Sequence, residues 1–261
     1  MEGVHTVVHA AAVVSFDPKD RELLTRTNVE GTKQLLHAAA AAKVVRWIQI
    51  SSVAALGRIP SRLLMDEDVA WEDSTGNSHY AISKYLADLE VARAAAEGLS
   101  TVTLCPSVVL GSGRRGISST RLIEYVANRN QWVTIGTVNI VGVTDVAKVV
   151  VLLLEYPLVE GRFILSASSH TYQQLFSKLA EAMHLPAPNK VLKQWQMQIA
   201  APIAGLWAAL TGSRPLLTAE TVAASTSQYR YNGSRITTAI PFAYEPLEKT
   251  IEQAVRSFVD K

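Results

Sequence analysis

VHTVVHAAAVV, residues 4–14, is the stretch on which the reading of the fold turns. It is almost unbroken in apolar residues, rich in Val, and nothing polar leads into it. A run this short and β-branched reads as a strand buried on both faces, of the kind found in the middle of a parallel sheet. A chain that opens in the interior of a sheet needs neighbours for that strand, and the remaining sequence must supply them.

It does so in alternation. Residues 28–43 (NVEGTKQLLHAAAAAK) have helical composition and spacing, and residues 45–51 (VRWIQIS) form a second buried strand. A long helix over 78–97 is closed by Gly98, and a third strand over 99–105 (LSTVTLC) is stopped by Pro106. Helices at 117–129, 144–155 and 171–184 alternate with strands at 132–135 and 162–166. This βαβα order predicts an α/β fold, a doubly wound parallel sheet with helices on both faces. From about residue 185 the rhythm changes. Pro186, Pro188, Pro202 and Pro215 interrupt helical stretches and mark a smaller lobe. We therefore expect two domains, 1–166 and 167–261, with the last helix, 247–259, packing back on the first.

Bulk properties narrow the function. Of 261 residues, 48% are apolar and 18% charged, which supports a sizeable core and argues against disorder. A net charge of +2 favours no polyanion, so no nucleic-acid partner is expected. The single Cys105 excludes an internal disulfide and suits a reducing compartment, the cytoplasm. Met1 is not followed by a basic segment and a long apolar one, so no secretory leader is expected. The longest apolar stretch, 199–210, contains Pro202 and Gly205 and is shorter than the ~20 residues of a spanning helix.

In open parallel sheets ligands sit beyond the carboxyl ends of the strands. After the first strand come Ala10, Ala11 and Ala12, small enough for a flat ring or a sugar to approach the backbone. After the second come Ser51 and Ser52, and after the third Pro106, Ser107 and Val108. Between these lies Tyr80-Ala-Ile-Ser-Lys84 at the start of the long helix. Residues four apart share a helix face. An ammonium close to a phenol favours phenolate and lowers its pKa from near 10. A Ser hydroxyl on the neighbouring strand end would hold a carbonyl or alcohol oxygen beside the Tyr, with proton transfer accompanying hydride transfer. Spacing alone is weak evidence; its position 28 residues after a strand-end Ser-Ser gives it weight.

With these residues in place, the chain resembles the extended short-chain dehydrogenases/reductases of the NAD-dependent epimerase/dehydratase superfamily. The branch it is most similar to contains dihydroflavonol reductases and 3β-hydroxysteroid dehydrogenases. The resemblance runs over nearly the whole chain. Val7-Val-His-Ala-Ala-Ala12 resembles the family's fourth strand, and Asn28-Val-Glu-Gly-Thr32 its Asn-x-x-Gly-Thr helix start. Ile48-Gln-Ile-Ser-Ser-Val-Ala-Ala-Leu-Gly57 resembles the strand ending in the catalytic Ser, and Leu104-Cys-Pro-Ser-Val-Val-Leu-Gly111 the loop near the nicotinamide. The resemblance implies a Rossmann-like fold and NAD or NADP as cofactor. It implies Ser52, Tyr80 and Lys84 as catalytic residues. Contacts to the cofactor are implied for Ala10, Ala11, Ala12, Asn28, Ser51, Tyr80, Lys84, Pro106, Ser107 and Val108.

Such a fold opens with a strand, a Gly-x-x-Gly-x-x-Gly turn and a helix whose N-terminus binds pyrophosphate. Here the sequence starts at the fourth strand, so about the first quarter is expected to be missing, with Met1 an internal methionine or the chain a fragment. The segment that selects NAD or NADP is missing with it. The expectation is then poor dinucleotide binding and no turnover by these 261 residues alone. Three functions stay open: an NAD(P)-dependent oxidoreductase acting on a hydrophobic small-molecule alcohol or ketone, a sugar-nucleotide epimerase or dehydratase, and a non-catalytic truncated fragment. Cys105-Pro-Ser-Val-Val, the apolar lobe and Leu56 before Gly57 favour the first. A homodimer is compatible with the sequence.

Other features carry plainer expectations. The six His residues lack metal-ligand spacing, and no metal is expected. Asp145 reads as a helix cap, and Asn28 either as part of a water relay toward Lys84 or as a cap or kink of its helix. The acidic MDEDVAWED at 65–73 reads as a solvated loop, and Arg114 and Arg115 as part of another. WQMQIAAPIAGLWAAL at 195–210 reads as lobe core, or as a lid over a bulky apolar substrate.

Overall fold

The computed structural model describes residues 1–57, 62–73, 76–113, 116, 119–192, 196 and 227–259. Arg114, Arg115 and, apart from Gln196, residues 195–210 lie outside the described residues. In chain order the elements are β1 (Thr6–His9), α1 (Arg21–Leu24), α2 (Gly31–Ala41), β2 (Arg46–Ile50), β3 (Leu64–Met65), α3 (His79–Ala96), β4 (Ser100–Pro106), β5 (Val108–Leu110), α4 (Thr120–Ala127), β6 (Trp132–Val133), β7 (Thr137–Gly142), α5 (Val143–Glu155), β8 (Gly161–Leu165), β9 (Ser168–Thr171), α6 (Tyr172–Ala182), β10 (Lys190–Val191), β11 (Arg230–Tyr231), α7 (Arg235–Ala239) and α8 (Leu247–Val259). They form two compact units. The first comprises residues 1–107, 147–165 and 232–242; the second comprises 108–146, 166–231 and 243–261.

The first unit is built on a parallel sheet in the order β1-β2-β4-β8. All four strands run the same way, so their carboxyl ends share one edge. β2 lies between β1 and β4, and four of its five residues are buried. Trp47, fully enclosed, packs with Leu36 and Ala39 of α2 and with Val91 and Ala94 of α3. The alanines explain the close packing of these helices: they leave room for the indole and cost no side-chain entropy in a helix. α3 starts at an N-cap, Ser78, whose side chain accepts from the Ala81 amide. It ends before Gly98, whose φ of 102° is a conformation other residues adopt at a cost. Arg46 is buried at the start of β2, where its guanidinium donates to the carbonyls of Tyr156, Pro157 and Val159, just beyond α5.

Two expectations are corrected here. β1 is shorter than residues 4–10 and only half-buried, with Val8 43% exposed. No strand pairs with its other edge among the described residues, so one row of its backbone groups lacks the ladder that shields β2. The acidic stretch at 65–73 is not simply solvated. Met65, Glu67 and Val69 are buried. The Glu67 carboxylate accepts the Ile164 amide at 2.9 Å and pairs with Arg235 at 3.3 Å. Burial alternates along residues 65–69 and places the Glu67 carboxylate inward, where it meets a backbone donor of β8.

The second unit holds β5, β7 and β9, with β7 parallel to β5 and antiparallel to β9. Its core joins Leu110, Ile123, Val126, Ile140, Leu175 and Leu179 with Leu247, Ile251 and Val255 of α8. Thr171 and Gln174 form a capping box at the start of α6. Asp145 lies inside the first turn of α5, where its carboxylate accepts the Glu245 amide, so it tethers the segment before α8 instead of capping its own helix. No helix among the described residues is long and apolar enough to cross a membrane.

Replacing Glu67 with Ala removes a buried acceptor of the Ile164 amide. Urea unfolding of Glu67→Ala is expected to show a loss of about 1–3 kcal/mol, with Glu67→Gln, which keeps an acceptor, losing less. Equal losses in both variants would show that the hydrogen bond to Ile164 is not what Glu67 contributes.

Candidate active site

The chain leaves β2 through Ser51 and Ser52 and turns at once into a 3-10 turn, Val53–Leu56. Ser52 is the N-cap of this turn, its Oγ accepting from the Ala54 amide at 3.2 Å. Gly57 closes the turn with φ 75°, and a Cβ there would stand 3.2 Å from the Trp71 ring. α3 packs on this turn and brings Tyr80 to it, with the Ser52 hydroxyl close enough to favour the ionised Tyr80 phenol. One turn further along α3, Lys84 is 2% exposed and its Nζ donates to the Ile50 carbonyl at 3.0 Å. The three residues singled out as catalytic thus come together within the first unit.

Burial dominates their electrostatics. It raises the Tyr80 phenol above its ordinary value, opposed by the Ser52 hydroxyl, with the Asp88 charge adding to the rise. The depressed phenol expected from the Tyr/Lys spacing is therefore not what this arrangement produces. The Lys84 ammonium is occupied by the Ile50 carbonyl, and desolvation outweighs it. Tyr80 holds its proton. Lys84 itself is lowered by burial, with Asp88 pulling it back up.

The Ser51 hydroxyl donates to Asp88 Oδ2 at 2.7 Å and lies near the Cys105 thiol, whose pKa burial pushes up. That donor is committed inside the protein. Asn28 lies where its helix departs from regular α geometry, as the reading of a kink has it. It sits in a π-helical turn, Thr25–Glu30, between α1 and α2. Its Oδ1 accepts the Val13 amide at 2.8 Å, while its Nδ2 donates to the Val13 carbonyl at 2.9 Å and to Ser83 Oγ at 3.0 Å. Both Nδ2 donors are used, and the amide fastens the loop after β1 to the turn of α3 that carries Lys84.

Ala10, Ala11 and Ala12 are exposed at the carboxyl end of β1. Pro106 ends β4, and Ser107 follows, buried, its amide donating to the Leu165 carbonyl and its Oγ without a hydrogen-bond partner. Val108 begins β5 of the second unit. His9 is buried, bonded to Thr32 Oγ1 at 3.0 Å and tilted against Trp47. Asp88 was missed by sequence reasoning. Its signal was present as an acid four residues beyond Lys84, on the Tyr80/Lys84 face.

A parallel sheet whose strand ends gather small residues, with Ser and Tyr hydroxyls brought together over a buried Lys, is the architecture of dinucleotide-dependent α/β enzymes. The chain belongs to the NAD dependent epimerase/dehydratase family, whose model matches residues 1–165. It is 29% identical to a protein of Synechocystis sp. named "Putative dihydroflavonol 4-reductase", over 99% of this chain and 77% of that protein. It is 30% identical to cinnamoyl-CoA reductase 1 of Arabidopsis thaliana over 73% of this chain, and the match spans 58% of that protein. The crystal structure of gox2253 superposes with a TM-score of 0.82 at 26% identity, covering 99% of this chain and 79% of that one.

Asn28→Ala removes three hydrogen bonds that hold the Val13 peptide and Ser83. Native-state hydrogen exchange at the Val13 amide is expected to accelerate roughly tenfold or more, with about 1–3 kcal/mol of stability lost. Unchanged exchange at Val13 would mean that the loop is held by something else.

Proposed function

We propose that the protein is an NAD(P)-dependent oxidoreductase that interconverts a secondary alcohol and a ketone on a hydrophobic small molecule. The observation that carries this reading is the approach of the Ser52 hydroxyl to the Tyr80 phenol at the exit of β2, with Lys84 enclosed on the same helix face and bonded to the Ile50 carbonyl. The first unit is the dinucleotide-binding part in this reading, and the second contributes to the substrate side.

The residues at the strand ends fit such a cofactor. Ala10, Ala11 and Ala12 present no side chain beyond Cβ, leaving backbone open to a flat ring or a ribose, and Ser107 carries a buried hydroxyl with no partner of its own. When bound, NAD(P)H supplies the hydride.

Tyr80 holds a proton at Oη because burial keeps the phenol neutral, and it donates that proton to the substrate oxygen during reduction. Ser52 orients the same oxygen through its hydroxyl. Lys84 supplies the positive charge that stabilises the phenolate left behind. In the oxidation direction the proton returns along the same path, from substrate hydroxyl to Tyr80. The names of the relatives, a dihydroflavonol reductase and a cinnamoyl-CoA reductase, favour a hydrophobic carbonyl substrate. The family's own name keeps a sugar-nucleotide epimerase or dehydratase as the second reading.

The intact protein, assayed by nicotinamide absorbance with a 3-oxosteroid, a dihydroflavonol and a UDP-hexose, is expected to reduce one of the first two. Tyr80→Phe should lower kcat by roughly 10²–10⁴-fold while dinucleotide affinity is retained. Conversion of the UDP-hexose alone would replace the first reading with the second. Wild-type turnover by Tyr80→Phe would overturn the mechanism for both.

A further inference from the structure

Asp88 is a buried carboxyl to which the reading above gives no role. It lies one turn beyond Lys84 on the same face of α3. Its Oδ2 accepts the Ser51 hydroxyl, while its equally enclosed Oδ1 has no hydrogen-bond partner. The groups that face it come from every neighbouring element: Lys84 and Tyr80 from α3, Ser51 from the exit of β2, Cys105 from β4 and Arg162 from β8. An enclosed carboxyl with one unpartnered oxygen is costly. Lys84 has the complementary problem. Burial drives its ammonium toward the neutral amine, and the foremost charge opposing this is that of Asp88.

We propose that Asp88 is a positioning residue of the active site. As a carboxylate it keeps Lys84 an ammonium inside the protein and, through Ser51, fixes the strand end that carries Ser52. This rests on the reading of Ser52, Tyr80 and Lys84 as the reacting group. Ile50 and Ser51 are then held by successive turns of α3, Lys84 on the Ile50 carbonyl and Asp88 on the Ser51 hydroxyl, with Tyr80 of the same face beside Ser52.

Burial pushes the Asp88 carboxyl up to about 6, with Ser51, Lys84 and Arg162 pulling it the other way. Above that pH the carboxylate is charged and favours the Lys84 ammonium through its field. Below it the carboxyl is neutral, and Ser51 loses its charged acceptor. Removing the charge of Asp88 must lower the pKa of Lys84, and removing the charge of Lys84 must raise that of Asp88. The coupling is one free energy, so the two movements must be of similar size.

NMR titration of the intact, cofactor-free protein decides this through the Lys84 Cε and Asp88 Cγ resonances, assigned by their loss in Lys84→Met and Asp88→Asn. In Asp88→Asn the Lys84 midpoint is expected to fall by roughly one pH unit or more; in Lys84→Met the Asp88 midpoint should rise by a similar amount. Asp88→Glu should restore the Lys84 midpoint, and Ser51→Ala should raise that of Asp88. An unmoved Lys84 midpoint in a folded Asp88→Asn protein would overturn the proposal. Should Asp88→Asn fail to fold, unmoved Asp88 midpoints in both Lys84→Met and Ser51→Ala would overturn it equally. Tyr80→Phe leaves the Asp88 and Lys84 charges in place, so the titration stands apart from any failure of the turnover reading.

Discussion

At the exit of β2 the backbone leaves the β1 ladder and is met by a helix face. Up to Gln49 the chain is fixed by ladders on both sides, and Ile50 and the Ser51 amide are still held by β4. There side chains from successive turns of α3 meet consecutive residues. Residues spaced by four on a helix form a single stripe about 12 Å long, a rigid ruler with polar graduations. The other features of the site follow from placing that stripe in the interior. A helix that close to a strand end excludes water, and exclusion of water makes an ammonium, a phenol and a carboxyl all reluctant to carry charge. Each must then lean on the next.

The balance of these terms gives the site a definite resting state. The phenol keeps its proton, the ammonium is bound to a carbonyl, and the carboxyl titrates within reach of neutral pH. In the proposed mechanism such a site gives a proton in the reducing direction. A hydroxyl–phenol pair without surrounding charge would lack a way to stabilise the anion formed after transfer. In that mechanism the part falls to the buried Lys, its own cost offset by the acid behind it.

The fold was largely legible because its signals are local and repeated. The mostly buried β2 and β4 show as short stretches rich in apolar and β-branched residues, Gly98 marks the end of α3, and residues 247–259 were read to the residue. β1 was over-read, since an apolar run reports what a strand is suited to meet and not whether a partner lies beside it. Glu67 escaped for the converse reason: one carboxylate among several turns inward for the sake of an amide almost a hundred residues away, and composition does not register that. The Ser52, Tyr80 and Lys84 group was legible by spacing. The commitments of Ser51 and Asn28 were not, because both are settled by tertiary neighbours, Asp88 and Val13, that no local pattern connects to them.

The π-helical turn Thr25–Glu30 bears on how this sequence can vary in length. A π turn accommodates one residue more than an α turn, and here the additional residue sets the angle at which the Asn28 amide meets the Val13 peptide. Deleting a single residue between 25 and 30 would let the segment relax into regular α-helix. Every preceding side chain would then rotate by about 100° relative to α2. Substitutions on the outer surface of that turn are absorbed, whereas a change in its residue count is not. The segment therefore behaves as a fixed-length spacer, more tolerant of spelling errors than of missing letters.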